Sequence, residues 1–258
     1  MKKTSVVSIV LSLMTSFAYS QNNYIEQNKA TIQKITAVFE NGSTILQYDY
    51  AENIHDGRGI TFGFFGLTSG TYDGTLFLKE YQRLNPGNRL VKYIDAFIQI
   101  DEMEHTDDGL NACVDGLEKF IDDFRMCIDD RLFMEAQQHT CDMLYWDPAV
   151  QIFKELGARL PITLGQIYDT CVQHGVDGCK SICGSTLAEK GRIGIQVAEQ
   201  EWLECFLQKR ILVLRRSGKV WKESVDRVKC YQRFLNDGNS AFLVPFGFEV
   251  FGDYYTIE

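Results

Sequence analysis

The stretch of residues 40–73 carries the carboxylates Glu40, Asp56 and Asp73 and the hydroxyl Thr61, side chains whose types and spacing could do acid–base chemistry. Two carboxylates on separate elements are the minimum equipment for splitting a glycosidic bond. One, protonated, gives its proton to the leaving oxygen; the other, ionised, attacks or activates a water. The question is whether the surrounding chain can divide those two roles between Glu40 and Asp56.

The local patterns allow such a division. Ile32, Ile35, Val38 and Phe39 recur at helical spacing from Gln27 to Phe39, and Gly42 supplies the stop. Glu40 is therefore expected at a helix C-terminus, where the helix dipole disfavours a negative charge. Partial burial beside Phe39 would act in the same direction, as a proton donor requires. Taken on sequence position alone, Glu40 reads more readily as a surface residue at a frayed end. Asp56 lies in Asp56-Gly57-Arg58-Gly59, a turn on glycine grounds. Arg58, two residues on, is placed to keep Asp56 ionised, the state of a general base. Ile45 to Tyr50 alternates as a short strand does, with Leu46, Tyr48 and Tyr50 on one side. Gly63 and Gly66 interrupt an apolar run where backbone could approach a ligand. Thr71 reads as an N-cap, with Asp73 in the first turn of the next helix.

Most of the remaining chain has helical periodicity. Segments are expected at Leu76 to Tyr81, Leu90 to Ile98, Leu117 to Phe133, Val150 to Leu156, Leu164 to Val172, Leu187 to Leu214 with room for a break near Gly194, and Val220 to Leu235. Strand signals are limited to the region of Leu46 to Phe65 and the tail, Phe242 to Tyr255. The fold class is mainly α with a small β element beside the candidate site. The acidic segment Asp101 to Asp108 reads as a solvated connector between two lobes; its spacing does not suit a calcium loop. Asp169, set among Leu164, Ile167, Tyr168 and Val172, is expected to be buried. A buried carboxylate needs partners, and Arg210 and Arg227 are candidates on separate helices.

Composition narrows the class. The formal net charge is −9, and the one basic cluster, Lys209 to Lys222, is local, so nucleic acid is not an expected partner. An acidic cleft would instead concentrate a cationic substrate. Lys2 and Lys3, the apolar run Val6 to Met14 and the small residues Ala18 and Ser20 read as a secretory signal over residues 1–20, cut before Gln21. The run is too short to span a membrane. A secreted, extracellular single domain over 21–258 is expected. The eight cysteines, an even count, then favour disulfides of unstated connectivity. His174, Cys179 and Cys183 match no standard zinc spacing, and neither a metal nor a cofactor is expected.

The stretch 40–73 resembles the chitosanases of glycoside hydrolase family 46. The likeness is carried by Glu40-Asn41, Tyr48, Asp56-Gly57-Arg58-Gly59-Ile60-Thr61, Phe65-Gly66, Ser69-Gly70-Thr71 and Asp73, then by Asn85-Pro86-Gly87-Asn88. It continues through Tyr145 to Val150, Ile167-Tyr168-Asp169, His174-Gly175, Arg227-Val228 and Gly252-Asp253. The resemblance implies a lysozyme-like fold with a cleft between two lobes, and hydrolysis of internal β-1,4 bonds of chitosan with inversion. It implies Glu40 as general acid, Asp56 as general base, and Thr61 as the group orienting the water. Asp73 would bind a glucosamine amine; Tyr50, Arg58, Thr71, His174 and Gly175 would line subsites. Asp169, Arg210 and Arg227 would form a supporting ion-pair network. Chitosan is the implied partner, with no membrane and a monomeric chain. A non-catalytic polysaccharide binder and a lysozyme-like muramidase are the alternatives. Glu40, Asp56 and Thr61 together argue against the first, and Asp73 with the Asp56–Gly59 turn argues against the second.

Overall fold

The computed structural model describes residues 24–107, 109–217 and 223–258. The expected secretory signal, and residues 218–222 of the basic cluster, lie outside them. The described chain is mainly helical, and it forms two compact units, one of Ala37–Pro148 and one of the residues up to Thr36 with Ala149–Glu258.

Helix α1 (residues 24–41) begins in the second of these units and ends in the first. Gly42, at φ 63°, ends it and donates its amide to the Val38 carbonyl at 3.0 Å, the left-handed stop that glycine adopts without penalty. In the unit 37–148 come next three two-residue strands, β1 (Ala51–Glu52), β2 (Thr61–Phe62) and β3 (Leu67–Thr68), antiparallel in that order. After them come α2 (Asp73–Leu84), a 3-10 turn (Val91–Tyr93), α3 (Ile94–Glu102), α4 (Phe120–Arg125) and α5 (Arg131–Cys141). A five-residue π-helical turn, Asp142–Trp146, leads into α6 (Asp147–Glu155).

So small a sheet cannot hold itself together. Its anchor is Phe62, fully buried, whose ring meets Phe77, Phe97, Phe120 and Phe124 at centroid distances of 5.9, 6.0, 5.0 and 5.1 Å. Such tilted and edge-on aromatic pairs are favoured beyond their buried area. Gln137 of α5, also fully buried, completes the hold. Its Nε2 donates to the Tyr48 carbonyl at 2.9 Å, and its Oε1 accepts the Phe64 amide at 3.2 Å.

The second unit contains α7 (Pro161–Lys190), α8 (Glu199–Arg216), α9 (Val225–Asn236) and the hairpin β4 (Phe246–Val250) and β5 (Asp253–Ile257). α7 is one assigned element but two helical runs, because Gly175 (φ 70°, ψ 166°) breaks it. Glu199 at the start of α8 accepts the amides of Arg159 and Leu160, which precede α7. Phe234 of α9 packs edge-on against Phe246 and Phe248 of the hairpin, at 5.6 and 5.3 Å.

At the centre of this unit Asp169 is fully buried between two cations. Its Oδ2 accepts from Arg210 Nη1 at 2.6 Å and its Oδ1 from Arg227 Nη2 at 2.5 Å; Arg210 Nη2 also donates to Gln173 Oε1. Burial alone would raise the Asp169 carboxyl, but the two guanidinium groups outweigh it and hold it below the usual carboxylate range.

Several elements differ from the sequence expectation. Residues 45–50 are not a strand: the Tyr48 and Tyr50 amides close short turns onto Leu46 and Gln47, and the Tyr48 carbonyl goes to Gln137, leaving the ladder to start at Ala51. The acidic segment from Asp101 lies inside the unit 37–148 and is not a connector between units; Asp101 takes the Thr75 hydroxyl of α2 at 2.5 Å. The cap of α2 is Tyr72, not Thr71. The segment expected from Leu187 is broken near Gly194 as allowed for, by the loop Gly191–Ala198, while the second run of α7 begins in residues that were left unassigned.

All eight cysteines are free thiols, against the disulfides expected from their even number. Burial in separate packing environments accounts for part of this. Cys127 donates to the Asp123 carbonyl at 3.3 Å, and Cys205 to Glu189 at 3.5 Å.

Two stability outcomes are expected. Replacing Asp169 by Asn should cost about 3–5 kcal/mol, because two buried guanidinium groups lose their counter-charge; chemical denaturation measures it. Gln137→Leu should cost about 1–3 kcal/mol for each of the two backbone groups it leaves unpaired, read as a lowered denaturation midpoint with the slope unchanged.

Candidate active site

Seven of the sequence-selected residues, Glu40, Tyr50, Asp56, Arg58, Thr61, Thr71 and Asp73, belong to the unit 37–148. His174, Gly175 and the Asp169 network belong to the other.

Glu40 sits in the last turn of α1. It is solvent-exposed, and the burial expected beside Phe39 is absent. The reason is helical geometry: successive residues point about 100° apart, so Phe39 turns into the core, 8% exposed, while Glu40 turns out. Asn41 fixes the helix end by donating its side-chain amide to the Phe64 carbonyl at 2.9 Å. The Phe64 amide is the one that Gln137 accepts. Both backbone polar groups of Phe64 are therefore tied, one to the element carrying Glu40 and one to α5.

Asp56 and Arg58 form a closed unit. Arg58 Nε donates to Asp56 Oδ2 at 2.7 Å, Nη2 lies 2.5 Å from the same oxygen, and the Arg58 amide reaches Oδ1 at 3.1 Å. Burial pushes the Asp56 carboxyl up, but the Arg58 hydrogen bonds and charge prevail and the net shift is downward. Asp56 is thus kept as a carboxylate. The turn is docked through its backbone: Gly70 donates to the Arg58 carbonyl at 3.0 Å, and Ile60 and Ser69 exchange hydrogen bonds at 2.9 Å. Gly70 has no alternative at that place, since a Cβ would lie 1.8 Å from the Asn111 carbonyl oxygen.

Thr61, on β2, is 7% exposed, and its hydroxyl has no hydrogen-bond partner in the protein. A buried unpaired hydroxyl is costly unless a water or ligand meets it. The β2 strand holds it rigidly, because the next residue is Phe62.

Asp73 opens α2. Its Oδ1 accepts from the Thr68 amide at 3.0 Å and the Thr71 hydroxyl at 3.1 Å, and the Thr68 and Thr71 hydroxyls are hydrogen-bonded to each other. Burial is the largest influence and raises its carboxyl from 3.8 to about 6, against these hydrogen bonds and the Arg58 charge. Asp73 is therefore a carboxylate whose charge changes close to neutral pH. Tyr72 before it is held at φ 71°, an uncommon conformation for a side-chain-bearing residue.

Tyr145 is the residue that sequence reasoning left out. It lies in the π-helical turn, its ring 5.9 Å from Phe65. Burial raises its hydroxyl most, followed by the charges of Asp73, Cys141 and Glu40, with Arg58 opposing. One phenol thus feels Glu40, Asp73 and Arg58 together. An aromatic in a helical run gives no sequence signal distinct from core, although π-helical turns are frequent at functional sites.

Tyr50 donates to Glu52 at 3.4 Å and feels the Asp56 charge. In the other unit His174 ends the first run of α7 and Gly175 is exposed at the break. Burial and the neighbouring Arg210 charge lower the His174 imidazole to about 4, so it is neutral at neutral pH.

Residues 34–246 match the model of glycosyl hydrolase family 46. The chain is 28% identical over 254 residues to a chitosanase of Bacillus subtilis, covering 92% of this chain and 89% of that protein. It is 33% identical over 220 residues to a chitosanase of a Streptomyces species, covering 82% and 74%. Among solved structures, the chitosanase of Gynuella sunshinyii in complex with chitotetraose aligns with a TM-score of 0.79 at 32% identity, over 90% of this chain and 98% of that one. A native chitosanase of Bacillus subtilis aligns at 0.80 with 26% identity over the same shares. A match over residues 34–246, reaching across both units and including Glu40, Asp56 and Asp73, leaves one assignment: the chain belongs to glycosyl hydrolase family 46.

Proposed function

We propose that the chain is an exported, endo-acting chitosanase that cleaves β-1,4 bonds between glucosamine units with inversion of configuration. The relatives' activity, and the chitotetraose bound to one of them, support the substrate class. The observation that supports carrying the reading to particular residues is Tyr145, whose hydroxyl is influenced by Glu40, Asp73 and Arg58 at once.

In this reading Glu40 gives its proton to the glycosidic oxygen. Asp56, kept ionised by Arg58, takes a proton from a water that attacks the opposite face of the sugar. The Thr61 hydroxyl, buried and without a protein partner, holds that water in line. Covering of Glu40 by the substrate supplies the desolvation that the exposed residue lacks. Asp73 receives a glucosamine ammonium, with Thr68 and Thr71 fixing the oxygen that faces away. Its charge selects an amine over an acetamide, which offers no cation. Tyr145, Tyr50 and Arg58 contribute contacts around it. His174 and Gly175 are assigned to substrate contacts from the other unit.

Glu40→Gln and Asp56→Asn should each lower kcat by about 10²–10⁴, the usual worth of a positioned acid or base, while chitosan binding persists. Reducing-end release and calorimetry measure the two, and a Glu40→Gln protein at normal rate overturns the assignment. Proton NMR of the first product should show the α-anomer.

Asp73 gives a pH signature. It is ionised above about 6 and neutral below, so amine binding weakens as pH falls through that value. A bound ammonium favours the carboxylate, so binding below pH 6 should release protons from Asp73. Asp73→Asn should raise KM for chitosan about 10- to 100-fold through loss of a charge-assisted contact. It should also abolish the proton release, which calorimetry in buffers of different ionisation enthalpy measures. The first residue of the protein recovered from culture medium should be Gln21.

A further inference from the structure

The break in α7 has a chemical consequence separate from the glycosidase reading. On an unbroken helix residues twelve apart are separated by about 18 Å. Here the Cys179 thiol lies 3.7 Å from the Ile167 carbonyl oxygen, twelve residues earlier. The second run of α7 therefore folds back along the first at His174–Gly175. Ile167 is one helical turn before Cys171, and side chains on a helix lean towards its N-terminus, so the bend brings Cys179 onto Cys171. Cys183, one turn after Cys179 on the second run, reaches it from the other side. The Cys179 thiol donates to the Ile167 carbonyl; its contacts with the two neighbouring thiols, followed by the Arg210 charge, lower it, and the same contacts with burial raise Cys171 and Cys183.

Cys183 also forms part of the wall of a cavity of about 560 Å³. Ile152, Leu156, Leu187 and Ile193 give this cavity an apolar floor. Lys154, Lys180 and Arg192 line it against a single carboxylate, Glu155, which already accepts from Gln151. The surplus of positive charge suits a small anionic molecule.

We propose that Cys171, Cys179 and Cys183 form a thiol–disulfide exchange site that takes an anionic low-molecular-weight disulfide from this cavity. The stable oxidised product is a Cys171–Cys179 bond across the His174–Gly175 bend. Cys183, the thiol that lines the cavity, gives its proton to solvent and attacks one sulfur of the external disulfide, expelling the other as a thiolate. That thiolate takes the proton from Cys179, which attacks the Cys183 sulfur and expels the second thiolate. Cys171 then gives its proton to this thiolate and attacks Cys179, returning the electron pair to Cys183. Cys183 recovers its proton from solvent. The external disulfide gains two electrons and leaves as two thiols, and two protein thiols become one disulfide. The last exchange is favoured because residues four apart on a helix hold their Cβ atoms about 5–6 Å apart, beyond the roughly 3.5–4.5 Å a disulfide needs. Cys179 and Cys183 therefore make a strained intermediate, whereas Cys171 and Cys179 meet across a flexible glycine.

The test is thiol mapping of the reduced full chain after incubation with glutathione disulfide, alkylation and digestion without reduction. Mass spectrometry should find a Cys171–Cys179 cross-linked peptide, an alkylated Cys183, and two released glutathione molecules per cross-link. The half-exposed Cys113, carrying glutathione, serves as the internal control. Alkylation of all three thiols while Cys113 is modified overturns the proposal, as does a Cys179–Cys183 product. Cys183→Ser should slow cross-linking about tenfold, as loss of an exchange step does, without changing its position. Lys180→Glu, an exposed surface change, should slow the reaction with glutathione disulfide but not with neutral hydroxyethyl disulfide. Equal rates with both overturn the anionic cavity.

Discussion

The peptide groups around Phe64 are the constraint on which the site unit depends. Asn41 holds the carbonyl and Gln137 holds the amide. Through them the end of α1, the glycine-rich loop after β2 and the middle of α5 become one rigid object. A sheet of two-residue strands has almost no ladder of its own, so side chains replace backbone partners. Phe62 supplies the apolar half of the same attachment by entering the phenylalanine cluster of α2, α3 and α4. Glu40 and Thr61 are each one residue away from an anchored neighbour. In both cases the adjacent residue carries the packing, so Glu40 is free to face solvent and Thr61 is held in a fixed place.

Electrostatics then separates three carboxylates that differ little in sequence. Asp56 has an arginine fork and remains charged. Asp73 has mostly neutral donors and substantial burial, and it titrates near neutrality. Asp169 is the most deeply buried and the most strongly counter-charged, and it serves the packing of α7, α8 and α9. The ordering reflects what each carboxylate touches: a cation at the surface, hydroxyl and amide donors in a buried niche, or two cations in the core.

Legibility in the sequence tracked the range of the interactions involved. The end of α1 was readable because Gly42 acts on the turn immediately before it. The Asp56–Arg58 pairing was readable because both partners sit in one four-residue turn. The strand expected at 45–50 was misplaced because its alternation is real but its hydrogen bonds go to Gln137, far along the chain. The exposure of Glu40 agrees with the surface reading of its position; the burial considered beside Phe39 fails because proximity in sequence is not proximity on a helix surface. Tyr72 as the cap of α2 had no local signal, since its positive φ is imposed by the packed loop around it. The reversal at Gly175 falls among residues to which no element was assigned, and only the tertiary contact of Cys179 with Ile167 reveals it.

The π-helical turn Asp142–Trp146 bears on how this chain tolerates changes in length. Such a turn is an α-helix carrying one extra residue. Removing a single residue there would restore regular winding and rotate α5 against α6 by about 100°. Tyr145 would then leave the neighbourhood of Glu40 and Asp73 while every helix remained intact. The length of the segment is therefore a constraint in its own right, beside the buried Trp146 that it carries.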